Sequence, residues 1–207
     1  MSDIRVLIVE DEPLIAADIS ACLKKNDYIV TAICYTKAQG EKELFENLPD
    51  IVLLDINLKN GEEGIDLAKK INTAYKIPFV FLTSYSDKQT LQSAKAAAPS
   101  GYIVKPFSCG GLYAALEVAI YNYAQQHKIS FPELSLSAVN KTLPAALSDR
   151  EFEVLQLIYD GYTNQQIAEK VFVSVNTIKK HINNAYLKLD TTTRTSAIAR
   201  LRELMLK

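Results

Sequence analysis

The 207-residue chain is long enough for one large domain or two small ones, each with its own buried core. Apolar residues make up 48% and charged residues 23%, a balance that excludes wholesale disorder. Twelve Lys and Arg stand against sixteen Asp and Glu over residues 1–125, whereas eight stand against two over 170–207, so an acidic half precedes a basic tail. The longest apolar runs, such as Val6–Val9 and Ile51–Leu54, are strand-sized and far short of a membrane span. The start, Met1-Ser2-Asp3, reaches apolar sequence without a basic leader, so no secretory signal, no membrane partner and a cytoplasmic location are expected. Cys22, Cys34 and Cys109 lack C-x-x-C spacing and are expected as reduced core thiols, neither a disulfide frame nor a zinc site. His127 and His181 lie too far apart in sequence to suggest a metal cluster.

In chain order, Arg5–Glu10, Ile29–Cys34, Ile51–Ile56, Phe79–Ser84 and Gly101–Lys105 read as strands, rich in Val, Ile and Phe and too short for helices. Between them run stretches with helical spacing. Leu14, Ile15, Ile19, Cys22 and Leu23 follow Pro13, a good first-turn residue, while Asp87 and Ser108 are candidate N-caps for helices over 88–98 and 111–125. Five strands, each followed by a helix, imply a parallel sheet covered on both faces.

Residues 126–146, with prolines at 132 and 144 and no sustained period, read as a linker. Beyond it the pattern is all helical. Ser148-Asp149-Arg150-Glu151 is a capping box opening a helix that carries Phe152, Leu155 and Ile158 and stops at Gly161. Thr163 caps a second helix through Lys170, Val171–Val173 connects, Ser174 caps a third to about Leu189, and a fourth runs near 195–206. Two short helices joined by a tight turn make a helix-turn-helix.

Polar residues fall where strands end: Glu10 and Asp11 after the first, Asp55 on the third, Thr83 on the fourth, Lys105 on the fifth. Any one acid at a strand end is more often a turn residue than a ligand. In a parallel sheet, however, these ends share one edge, outside which ligands bind. Three crowded carboxylates repel one another, and a hard divalent cation with oxygen ligands, Mg2+ above all, relieves that.

These residues carry a resemblance. Over residues 3–125 the chain resembles a response-regulator receiver domain: Val9-Glu10-Asp11 matches its acidic pair, Leu54-Asp55-Ile56-Asn57 its phosphoacceptor, Leu82-Thr83-Ser84 its switch hydroxyl, and Gly101-Tyr102-Ile103-Val104-Lys105-Pro106-Phe107 its lysine signature. The resemblance implies a flavodoxin-like, doubly wound α/β fold with five parallel strands in the order 2-1-3-4-5. It also implies that Asp55 takes a phosphoryl group from a sensor histidine kinase as an acyl phosphate. Mg2+ is then held by Asp11 and Asp55, by Glu10 through water and by the Asn57 backbone carbonyl; Lys105 and Thr83 meet phosphoryl oxygens, and Tyr102 turns toward the space Thr83 leaves. The loop Leu58–Gly64 departs from the family in lacking a proline and in being more acidic. Asn57 and Tyr85 are placed to influence water near the acyl phosphate.

Wound at 100° per residue, 175–189 puts Ile178, Ile182, Ala185 and Leu189 on one stripe and Asn176, Lys179, Lys180 and Asn183 opposite, with Leu187 as the odd member. A solvated face accounts for lysines on an arbitrary helix. Here the preceding helix, the tight turn and the basic tail favour DNA: lysines suit phosphates or guanine edges, and asparagines suit adenine edges. Residues 147–202 resemble the LuxR-type helix-turn-helix of NarL-like response regulators, through Leu147-Ser148-Asp149-Arg150-Glu151, Gly161, Asn164, Ile167-Ala168, Ser174-Val175-Asn176-Thr177-Ile178-Lys179-Lys180-His181, Lys188-Leu189 and Arg194-Thr195-Ser196-Ala197. That resemblance implies a small four-helix all-α domain over 147–207, whose helix 175–189 enters the major groove of promoter DNA. His181 reads as packing locally. Ile198, Leu201, Leu204 and Met205 form a stripe that is either core or, as in the family, a homodimer surface.

The combined expectation is a phosphorylation-controlled transcription regulator without separate substrate turnover. A phosphorelay or adaptor protein, its helical tail binding a protein partner, is the first alternative. A phosphatase with an aspartyl nucleophile is less suited, because Asn57 stands where a haloacid-dehalogenase-like enzyme has its second acid. A regulator with a vestigial receiver conflicts with the complete set of site residues.

Overall fold

The five apolar runs become β1 (Ile4–Val9), β2 (Tyr28–Cys34), β3 (Ile51–Asp55), β4 (Phe79–Thr83) and β5 (Gly101–Val104). They form one sheet in the order β2-β1-β3-β4-β5, with the β1–β3, β3–β4 and β4–β5 pairs parallel. A computed structural model describes residues 3–26, 28–58, 63–84, 88–128 and 133–205 of the chain. Val9 pairs with Leu54, Asp55 with Leu82 and Thr83 with Val104, so successive strands end at one edge.

Strand side chains alternate between two buried faces. Leu7, Val9, Val52, Leu54, Phe79 and Phe81 pack with Leu44, Ile65, Leu67 and Ala94. The alternate set, among them Val6, Ile8, Leu53, Val80 and Leu82, is equally buried, as are Ala16, Ile19 and Leu23 of α1 (Pro13–Leu23) and Leu112, Leu116 and Ala119 of α5 (Cys109–Lys128). Burial from both sides is what the nearly unbroken apolar runs demanded. Between these helices lie α2 (Lys37–Glu46), α3 (Glu63–Lys70), a wider π-helical turn at Ile71–Tyr75 and α4 (Lys88–Ala96). Ser108 caps α5 by accepting the Gly111 amide at 3.0 Å. The candidate cap Asp87, Tyr85 and most of the loop after Leu58 lie outside the described residues.

One expectation is overturned. Cys22 and Cys109 are joined in a disulfide with their Cα atoms 5.4 Å apart, while Cys34 alone is free, and buried. The last turn of α1 lies beside the first turns of α5: Tyr113 donates its hydroxyl to the Cys22 carbonyl and stacks on Tyr28. The two cysteines are 87 residues apart in sequence, and only the packing of α1 on α5 brings them together.

Two compact units result, Arg5–Ile120 and, separately, Tyr121 onward with Asp3 and Ile4. In the second of these, Tyr121 meets Tyr162 edge-on and Gln125 donates to the Asp160 carbonyl at 2.9 Å. The helical unit contains α6 (Leu136–Asn140), α7 (Asp149–Tyr159), α8 (Asn164–Lys170), α9 (Val175–Leu189) and α10 (Arg194–Met205). Helix α6 lies in the stretch expected as a linker. Its Val139 is fully buried with the α7–α10 core, and Asn140 exchanges two hydrogen bonds with the Leu147 backbone, at 2.8 and 3.0 Å. The caps are those the sequence announces. Ser148 and Glu151 bond reciprocally, as do Thr163 and Gln166, and Ser174 accepts from Thr177. Gly161, at φ 93°, supplies the left-handed residue after α7. Among the described residues no helix is long and apolar enough to cross a membrane.

Candidate functional sites

The aligned strand ends build an acidic pocket. Carboxylate oxygens of Glu10, Asp11 and Asp55 lie within 4.8 Å of one another. Glu10 and Asp55 are buried, at 0% and 5% exposure, and Asp11 is half-buried. Lys105, just past β5, sends its ammonium between the two buried acids, 2.7 Å from Asp55 Oδ2 and 2.6 Å from Glu10 Oε2. Asp55 Oδ1 accepts the Asn57 amide at 3.0 Å, and Glu10 Oε1 accepts the Glu12 amide at 3.3 Å.

Electrostatics follow from crowding. Burial, with the Asp55 charge adding to it, pushes the Glu10 carboxyl up to about 7 against the pull of Lys105. Burial would lower the Lys105 ammonium, but its contacts with Asp55 and Glu10 outweigh that and raise it above its ordinary value. One ammonium thus serves two buried acids with a third close by, leaving an excess of negative charge. Glu10 Oε2, fully buried, is held 2.6 Å from the Lys105 ammonium. A hard divalent cation with oxygen ligands suits this donor set.

Thr83 ends β4, buried at 6% exposure, and its carbonyl accepts the Lys105 amide at 2.8 Å. Tyr102 pairs with Phe81 across β4 and β5, their rings 5.9 Å apart, and stays 36% exposed at the sheet edge, where partial burial raises its phenol. Glu10, Asp11, Asp55, Thr83 and Lys105 thus come together at one end of the sheet. The residue that pattern reading missed is Gly64. A Cβ there would stand 2.1 Å from the Asp55 carbonyl oxygen, so the first turn of α3 presses on the main chain of the acceptor strand. Its only sequence signal is a glycine near the start of a helix.

In the helical unit, α9 buries Ile178, Ile182, Ala185, Tyr186 and Leu189. It exposes Asn176, Lys180, Asn183, Asn184 and Leu187, the last at 79%. Lys179, expected on the outer face, is half-buried, as is His181. Lys188 faces inward: its ammonium reaches Glu151 Oε2 at 2.6 Å and the Ala146 carbonyl at 2.8 Å, pinning the end of α9 to the start of α7. Ala197, Leu201 and Leu204 of α10 are core, with Ile198 and Met205 partly buried against it.

The family described as "Response regulator receiver domain" matches residues 6–117, and that described as "Bacterial regulatory proteins, luxR family" matches 145–201. The transcriptional regulatory protein LiaR of Bacillus subtilis is 30% identical over 200 residues, covering 94% of each chain. The oxygen regulatory protein NreC of Staphylococcus haemolyticus is 29% identical over 202 residues, covering 90% of this chain and 91% of its own. Among solved structures, the signal receiver domain of a modulated diguanylate cyclase from Desulfovibrio desulfuricans superposes with a TM-score of 0.57 at 31% identity, over 60% of this chain and 99% of its own. An acidic pocket on a 2-1-3-4-5 sheet, followed by a helix-turn-helix and matched along nearly the whole chain, has one meaning: the protein belongs to the response regulators that join a receiver domain to a LuxR-type DNA-binding domain.

Proposed function

We propose that Asp55 accepts a phosphoryl group from a sensor histidine kinase and that the acyl phosphate controls binding of the helical domain to promoter DNA. The observation that carries this is the Lys105 ammonium 2.7 Å from Asp55 Oδ2, in a pocket whose carboxylates outnumber its cations. An Asp55 oxygen attacks phosphorus, the bond to the kinase histidine breaks, and the imidazole leaves with the electron pair. Glu10, Asp11, Asp55 and the Asn57 carbonyl would hold Mg2+, which when bound offsets charge on the transferring oxygens. Lys105 then exchanges Glu10 for a phosphoryl oxygen, Thr83 donates its hydroxyl to another, and Tyr102 follows Thr83 inward. The receiver performs its own phosphoryl uptake and release, with no separate substrate turned over.

We divide the chain functionally into a receiver over 1–125, a connection over 126–146 and a DNA-binding domain over 147–207. In the last, Lys180, Asn183 and Asn176 face the major groove, with Lys179 beside them, and the active form is a cytoplasmic homodimer. Incubation with acetyl phosphate and Mg2+, followed by intact mass and selection from genomic DNA fragments, tests both halves. Uptake of one phosphoryl group, abolished by Asp55→Asn, and salt-sensitive DNA capture are expected. Labelling retained in Asp55→Asn refutes the acceptor. DNA binding that is absent or salt-insensitive in either state points to a protein partner instead.

A further inference from the structure

We propose that Cys22 and Cys109 form a reversible thiol–disulfide switch whose closed form holds the segment carrying Lys105 and slows phosphoryl uptake. The consequence for uptake rests on the reading of Asp55 as acceptor; the switch chemistry does not.

The pair is built rather than incidental. Its Cα separation of 5.4 Å is in the range a disulfide needs. The approach does not depend on the bond, because the Tyr113 hydroxyl, one turn beyond Cys109, grips the Cys22 carbonyl and the Tyr113 ring stacks on Tyr28. The two sulfurs are also chemically unlike Cys34. Cys109 is the first residue of the 20-residue α5, where the helix dipole and unpaired amides favour thiolate. Both Cys22 and Cys109 are half-buried and so within reach of a small oxidant, whereas Cys34 is buried and its thiol is pushed up to about 11 by desolvation, with Glu43 adding to it. In a reducing compartment such a pair closes only when oxidant is present, which makes it a sensor rather than a structural staple.

With a peroxide as oxidant the chemistry balances. The Cys109 thiolate attacks one peroxide oxygen, the O–O bond breaks, and the departing hydroxide takes a proton to leave as water, giving a sulfenic acid. The Cys22 sulfur then attacks the sulfenic sulfur, the S–O bond breaks, and the second hydroxide leaves as water with the Cys22 proton. Each sulfur loses one electron, and the two peroxide oxygens gain them. A dithiol reverses the bond by exchange.

The bond lies four residues after Lys105, at the first residue of α5, where the segment that carries Lys105 from β5 ends. Closed, it fastens the first turn of α5 to the last turn of α1, so Lys105 has less freedom to leave Glu10 for an incoming phosphoryl group. Open, that turn keeps the Tyr113 contacts and the buried Leu112 but loses its covalent tie to α1.

The full-length protein, reduced with dithiothreitol or treated with hydrogen peroxide and freed of excess reagent, provides the test. Free thiols are expected to fall from three to one per chain, with Cys34 remaining, and to return to three with dithiothreitol. Phosphoryl uptake from acetyl phosphate is expected to slow in the oxidised form and recover on reduction. Cys109→Ser, which removes the attacking thiolate, should lose both responses and Cys34→Ser keep both; if Cys109→Ser does not fold, reduced wild type serves as the open form. Three thiols surviving peroxide, a disulfide between chains, or equal uptake by closed and open forms would each overturn the proposal. If neither form takes up phosphoryl, the acceptor reading falls, while the thiol count still decides the switch.

Discussion

The Lys105 ammonium lies 2.7 Å from Asp55 Oδ2, joining residues fifty positions apart in sequence at the ends of two strands that do not touch. β4 separates them in the sheet, so the contact exists only because both side chains reach over the same edge. The first expected outcome concerns this contact. Lys105→Met leaves the buried Glu10 and Asp55 without their shared cation, and removing one partner of a buried pair costs about 3–5 kcal/mol. Denaturant unfolding should show that loss at pH 8 and a smaller one at pH 5, where Glu10 keeps its proton.

A second outcome concerns pH. The folded chain keeps the Glu10 proton up to about 7, whereas the unfolded chain releases it near 4.5, so between these values the folded form binds more protons. Stability from this group is therefore present below pH 4.5 and is lost as pH rises through 7. The loss amounts to at most about 3–4 kcal/mol. Unfolding of metal-free protein at stepped pH should show this slope, Glu10→Gln should remove it, and Mg2+ should flatten it by competing with the proton for the same oxygens.

Gly64→Ala tests the pressure of α3 on the acceptor strand. The added Cβ meets backbone rather than a yielding side chain, at 2.1 Å from the Asp55 carbonyl oxygen. A loss of about 3 kcal/mol is expected. Thermal melting checks it, and slower phosphoryl uptake should accompany it, because the main chain that must shift is that of Asp55.

Glu151→Ala removes both the reciprocal cap with Ser148 and the partner of Lys188. The Lys188 and Ser148 bonds outweigh burial and hold the Glu151 carboxyl below its usual range, so its contribution is present at neutral pH and disappears as pH falls through that lowered value. A cap and a charge-assisted bond together suggest about 2–3 kcal/mol. Helicity on heating should fall, with the wild-type advantage shrinking in acid.

On DNA, Lys180→Ala should weaken binding to all sequences and reduce the salt slope by about one, as expected for one phosphate contact. Asn183→Ala should instead relax preference at one base pair, by about 1–3 kcal/mol. Binding measured across salt concentrations and across single-base variants of a selected site separates the two.

What the amino-acid order determined by itself is local. Alternating Val, Ile and Leu runs, Pro13, the Ser148, Thr163 and Ser174 caps and Gly161 specify strands, helices and their ends, because caps and periodicity act over a few residues. Strand ends carrying Glu10, Asp55, Thr83 and Lys105 made the acidic edge legible, since a parallel sheet has one such edge whatever its details. Tertiary packing decided the rest: that Cys22 meets Cys109, that Val139 joins the helical core, that Tyr121 meets the Tyr162 ring, that Lys188 turns inward to Glu151, and that the buried Arg194 donates to the carbonyls of Ile158 and Tyr162. These contacts join residues tens of positions apart, and their energies depend on distances and desolvation that no local pattern encodes.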